Sequence, residues 1–195
     1  MRHLTLLLDA VWMVAMGLFL GLGAGLVLGV ILVFRGSRHM QASPGLSPYA
    51  DPRFAEYHTE AVAGSIGQSL FALGGSAALI LLALAVTTRI AAWALNRRAG
   101  HADGGKVLGV QRGALVLAVL LMASTAATTM QINDRWPGLY DTQATDAQLI
   151  ERRDAFDALH QRSERLASLA WLSALVALAV TPWCPRESEA FAGDG

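Results

Sequence analysis

From Ala10 to Phe34 the chain runs for twenty-five residues without a charge. At about 1.5 Å rise per residue such a helix is roughly 37 Å long, more than the roughly 30 Å hydrocarbon core of a bilayer requires. The segment is predicted to cross a membrane. Within it Gly17, Gly21, Gly25 and Gly29 recur at every fourth position, giving three overlapping G-x-x-x-G units on one slowly turning face. Lipid supplies little hydrophobic drive between helices, so close backbone approach over small residues is what holds a pair together. The ribbon is expected to be a helix-packing surface, within the chain, between two copies, or toward another membrane partner. The start Met1-Arg2-His3 suits a signal peptide, but the apolar run is about twice the usual signal core and no small-x-small pair closes it before Arg35. An uncleaved anchor is the expectation.

Composition agrees with a bilayer setting: 54% of residues are hydrophobic, 15% are charged, and the mean hydropathy is positive. Fifteen acidic residues balance fifteen basic ones, which leaves no broad basic field for nucleic acid. Fourteen of the bases are Arg and only Lys106 is Lys, a skew that suits GC-rich bacterial codon usage. The single cysteine, Cys184, permits no internal disulfide, and the membrane-edge run Thr181-Pro182-Trp183-Cys184-Pro185 reads as an inert thiol.

Three further spans follow. Breakers from Gly36 to Pro52 form a first loop, and an uncharged run from Ala61 to Thr88 forms the second span. Arg89 interrupts that run beside Trp93, and it is expected to snorkel to the headgroups. Arg97, Arg98 and Lys106 belong to a short basic turn. The third span centres on 113–133 and stops at Trp136-Pro137-Gly138, with Ser124, Thr125, Thr128 and Thr129 expected to bond to helix carbonyls. Thr145 or Asp146 is expected to cap a long fourth helix, charged as far as Arg165 and apolar beyond. The fold class is therefore an all-α integral membrane four-helix bundle, one domain over 1–195, with spans at about 8–34, 60–95, 109–133 and 148–182 and a disordered tail at 186–195. Four spans place both termini on one side. The basic turn lies within a few residues of two helix ends, which assigns that side to the cytoplasm of a bacterial inner membrane.

Few residues suggest chemistry. His58 and His160 lie just before spans, among Glu56, Glu60, Asp157 and Glu164. Imidazole and carboxylate suit a metal or proton site, with His160, His58 and Glu164 as the candidate ligands. The plainer reading makes His160 and Glu164 a single-turn helix pair. Asp9 extends the glycine row and is either an intramembrane acid or a headgroup residue. Gln68 lies eight residues into the second span, where its amide must find a partner on another helix. No acid, base and nucleophile constellation is present in the sequence, so an enzyme is disfavoured and no cofactor is expected.

Phe156-Asp157-Ala158-Leu159-His160-Gln161-Arg162-Ser163 forms an F-x-x-L-H-x-x-S pattern leading into the last span. With Trp12 early in the first span, Ala63-Gly64-Ser65-Ile66-Gly67 opening the second and Arg135 after the third, the chain resembles an uncharacterised bacterial four-span family similar to eukaryotic transmembrane protein two-hundred-and-five. A proline at the end of the first span and an asparagine shortly after Ser163, both usual there, are missing. The resemblance implies the four-span fold and no established activity. It also implies a distant similarity to copper-resistance membrane proteins, which lends support to the alternative of a metal-related role for His160, with copper or another transition metal as the ion. The expectation for function is a structural or accessory membrane protein, and the alternative is a metal or small-solute transporter.

Overall fold

The computed structural model describes residues 2–40, 58–98 and 105–184, and these are almost wholly helical. The helices are α1 (Arg2–Met40), α2 (His58–Arg98), α3 (Gly105–Arg135) and α4 (Asp146–Ala179), with short 3-10 turns at Trp136–Tyr140 and Thr181–Trp183. All four are long and apolar enough to cross a membrane. The expected spans fall within them, the last also taking in the turn that follows Ala179. The tail at 186–195 and most of the first loop lie outside the described residues, as do the side chains of His58 and Gln68.

Local chemistry sets the helix ends. Arg97 and Arg98 occupy the last turn of α2, where cations complement the negative end of the helix dipole. Pro137 starts the turn that halts α3, since its ring cannot continue the i to i−4 ladder. Of the two expected caps for α4, Thr145 is the one used. Its backbone N–H donates to Gln148 Oε1 at 2.9 Å, and the Gln148 N–H donates to Thr145 Oγ1 at 3.3 Å, a reciprocal capping box. The hydroxyls of Thr128 and Thr129 donate to the carbonyls of Ser124 and Thr125, as expected for such residues inside a membrane helix.

The described residues divide into two compact units, those falling within 1–21, 78–122 and 167–195, and those falling within 22–77 and 123–166. In the second unit α2 meets its neighbours over glycine. The edge of the Trp136 indole occupies the place a Cβ would take at Gly64, and the Leu26 side chain does the same at Gly74. Trp136 is flanked by Tyr140 and Phe156, each with ring centroids 5.6 Å away. Arg152 Nη1 donates to the Gly138 carbonyl at 2.9 Å and to Asp141 Oδ2 at 3.0 Å, which ties the connection after α3 to α4.

The first unit has a graded core. Trp12, Met16 and Phe19 of α1 are fully buried, as are the small residues Ala170, Ala174 and Ala177 of α4. Both rows follow the i, i+4, i+7 spacing of one helical face. Phe19 stacks on Trp171 with centroids 4.0 Å apart, a pair worth about 0.5–1.5 kcal/mol beyond its area. Ala78, Leu82 and Ala85 of α2 and Leu115, Ala118 and Met122 of α3 supply the other core faces. Large apolar side chains on the outer faces, among them Leu18, Leu32, Leu73, Ile80, Leu120 and Met130, stand exposed. In water so many outward hydrophobes would drive association, whereas hydrocarbon accepts them.

Candidate functional site

In the first unit each core row ends on a polar residue. Asp9 stands three residues before Trp12, Arg89 four after Ala85, Gln111 four before Leu115 and Thr181 four after Ala177. Helical periodicity therefore turns all four toward the same interior, and they join into one network.

Gln111 is its hub and is fully buried. Its Nε2 donates to Thr181 Oγ1 at 2.9 Å and to the Ala177 carbonyl at 3.3 Å. Its Oε1 accepts from Arg89 Nε at 2.9 Å. This polarity is dictated by the partners, because a guanidinium only donates and a carbonyl only accepts. Thr181 Oγ1 donates to the Ala177 carbonyl at 3.0 Å while accepting from Gln111 and from Trp12 Nε1, the latter at 3.3 Å. Arg89 Nη1 bonds to Asp9 Oδ1 at 2.5 Å, and the guanidinium lies 5.6 Å from the Trp12 ring centroid. Every helix contributes: α1 through Asp9 and Trp12, α2 through Arg89, α3 through Gln111, and α4 through Ala177 with Thr181 just beyond its end.

One expectation changes here. Arg89 does not snorkel outward: its side chain is 15% exposed and points inward to an acid and an amide. The carboxylate of Asp9 offers a charge-assisted partner inside the protein, which outweighs extension toward water. Asp9 is half-exposed, so the ion pair stands at the rim of the network while Gln111 and Thr181 form its sealed floor.

Packing within the chain, one of the three expected uses of the glycine ribbon, meets no close neighbour among the described residues. At Gly17, Gly21, Gly25 and Gly29, apart from the adjoining backbone of α1 itself and each glycine's two chain neighbours, no atom of the described chain comes within 4 Å of where a Cβ would stand. The close approaches inside the chain occur on α2 instead, at Gly64 and Gly74.

His160 Nε2 lies 3.3 Å from Glu164 Oε1 one turn along α4, and its ring stacks on Phe156 with centroids 6.0 Å apart. Both side chains are at least half exposed. Among the described residues no group of three or more His, Cys, Asp or Glu side chains converges as a metal site, so this pair offers two donors where a closed transition-metal site uses about four. Cys184 is buried, and its thiol donates to the Val180 carbonyl at 3.6 Å.

Sequence reasoning missed Gln111 and Thr181 as site residues. The usable signal was their register: each continues an apolar row of three- and four-residue steps by one more turn. Set against known protein families, curated proteins and solved structures, the chain finds no match.

Proposed function

We propose that this chain is a small integral membrane protein of the bacterial inner membrane with a structural or accessory role and no catalysis of its own, its termini on the cytoplasmic side. The observation that carries the reading is the closure of the buried network. Both amide hydrogens and the oxygen of Gln111 are committed to partners in the chain, and so are the Thr181 hydroxyl and the Arg89–Asp9 pair. A satisfied network of this kind rigidifies the helices that share it. An ionisable pair inside a span otherwise suggests a relay for ions or protons, and here the arginine is tied by two different partners. The resemblance of the Leu159-His160-x-x-Ser163 segment to the four-span family supports the same architecture. Association through the open glycine face of α1, with a second copy presenting the same face, belongs to this reading, because a G-x-x-x-G ribbon is self-complementary across a two-fold axis.

The test compares the wild-type chain with Asp9→Asn and Arg89→Gln in proteoliposomes enclosing a pH-sensitive dye. A structural lock gives proton flux no greater than protein-free liposomes, and the variants melt at lower temperature in detergent. Gradient-driven flux that disappears in Asp9→Asn would overturn the structural reading in favour of a relay.

A further inference from the structure

A second polar cluster lies where α2 ends and α3 begins. Trp93 and Arg97 stand one turn apart on α2, and Arg112 approaches from α3. The Arg112 guanidinium carbon lies 4.8 Å from the Trp93 ring centroid and that of Arg97 lies 5.5 Å from it. Two cations thus share one indole. Each is attracted by the ring, and each repels the other.

The hydrogen bonding here is unbalanced. Among the described residues, the buried side-chain nitrogens without a hydrogen-bond partner are Trp93 Nε1 and Arg112 Nη2, both in this cluster. Buried donors are ordinarily paired, so two orphans in contacting residues need a common explanation. Indole and guanidinium are donors only, so no rearrangement of the three side chains among themselves can satisfy both. What the cluster lacks among the described residues is an acceptor carrying negative charge. No carboxylate of the described chain pairs with Arg97 or Arg112, while the exposed side chains of Arg98 and Lys106 add to the positive field.

We infer that Trp93, Arg97 and Arg112 bind the phosphate group of an anionic phospholipid. A phosphodiester supplies several acceptor oxygens and a full negative charge, and a guanidinium fork matches its geometry. The cluster stands at the end of two spans, the level at which a bilayer presents such phosphates. Its acceptor-poor chemistry is unlike that of the Asp9–Arg89–Gln111 network, whose groups satisfy one another. The inference rests on these helices crossing a membrane, and a chain released into aqueous buffer without detergent would refute that premise separately.

The experiment is native mass spectrometry of the detergent-purified full chain after incubation with phosphatidylglycerol or phosphatidylcholine. The wild type is expected to retain one phosphatidylglycerol, at least about tenfold more readily than phosphatidylcholine. Arg112→Gln should lower that retention about tenfold, and Trp93→Phe, which keeps an aromatic ring and removes the N–H, should lower it less. Arg98→Gln should leave it nearly unchanged. Melting curves identify any variant that fails to fold, and Trp93→Phe then carries the test in place of Arg112→Gln. Equal retention of the two lipids, or full retention by both Arg112→Gln and Trp93→Phe, overturns the inference. Displacement of the lipid by millimolar inorganic phosphate would reassign the site to a free anion and overturn the lipid.

Discussion

Replacing Gln111 with Leu removes the hub of the buried network while nearly conserving volume, so little of the effect comes from a cavity. Three hydrogen bonds disappear: two donated by Nε2 and one accepted by Oε1. At the average of about 0.6 kcal/mol measured for side-chain bonds between membrane helices, their loss comes to roughly 2 kcal/mol. The Arg89 Nε–H is charged and then faces Leu, and leaving it unmet raises the total toward about 3 kcal/mol. A chain of this length shifts by roughly 2–4 °C per kcal/mol, so the midpoint should fall by about 4–12 °C. Thermal unfolding in detergent, followed by tryptophan fluorescence or by size-exclusion recovery, reads this directly. Gln131→Leu is the matched control, the same chemical change on the same helix at an exposed site, with an expected effect within about 0.5 kcal/mol. Equal midpoints for the two variants, within about 2 °C, would show that the network contributes nothing measurable and would refute the reasoning.

Glycine substitutions should separate by location. Gly64→Ala sets a methyl group 2.8–3.0 Å from Cζ2 and Cζ3 of Trp136, a rigid ring held by Tyr140 and Phe156, and should cost about 1–3 kcal/mol. In the monomeric chain Gly21→Ala meets open space and gains up to about 1 kcal/mol of helix propensity, so the monomer's midpoint should hold or rise; the prediction fails if Gly64→Ala melts no lower than Gly21→Ala. At the start of α4, Thr145→Ala removes half of the capping box and should cost about 1 kcal/mol. Faster amide hydrogen exchange at Gln148 is the expected reading, and unchanged exchange there would show that the box is not what holds the first turn.

The number and approximate extent of the helices were legible because each span is a long apolar run bounded by charge, proline or glycine, and because Thr145 to Gln148 carries a capping pattern in four residues. What the hydropathy pattern concealed was direction. Arg89 next to Trp93 reads as an interfacial pair, and a one-dimensional scale assigns any charge near a span end to the headgroups. The three-dimensional answer depends on which face the residue occupies. Arg89 lies in register with Ala78, Leu82 and Ala85, so extending outward would have required it to leave the core row. Asp9 made the inward course favourable by placing an acid at the same level on α1. Neither residue reveals this alone, since the pairing joins positions eighty residues apart. The His160–Glu164 pair was legible for the opposite reason: both partners lie on one helix at a spacing that brings them together whatever the tertiary arrangement.

The same distinction separates the two sets of glycines. A glycine in a membrane helix marks a place where something can come close, and its neighbours along the chain do not say what comes. At Gly64 and Gly74 the visitor is a large side chain, Trp136 or Leu26, which fills the notch and secures α2 to elements of its own unit. Such notches need no periodicity, because each accepts one knob. The α1 ribbon repeats four residues apart over Gly17 to Gly29 and receives no knob from the described chain. Repetition at that spacing is useful when the visitor is itself a helix, whose backbone can then run along the ribbon for three turns. A solitary notch argues for a fold contact, and a repeated notch left open argues for association. α1 thus differs by face: Trp12, Met16 and Phe19 are buried in the core of the first unit, while the glycine face, the one the proposed association would use, receives no side chain from the described residues.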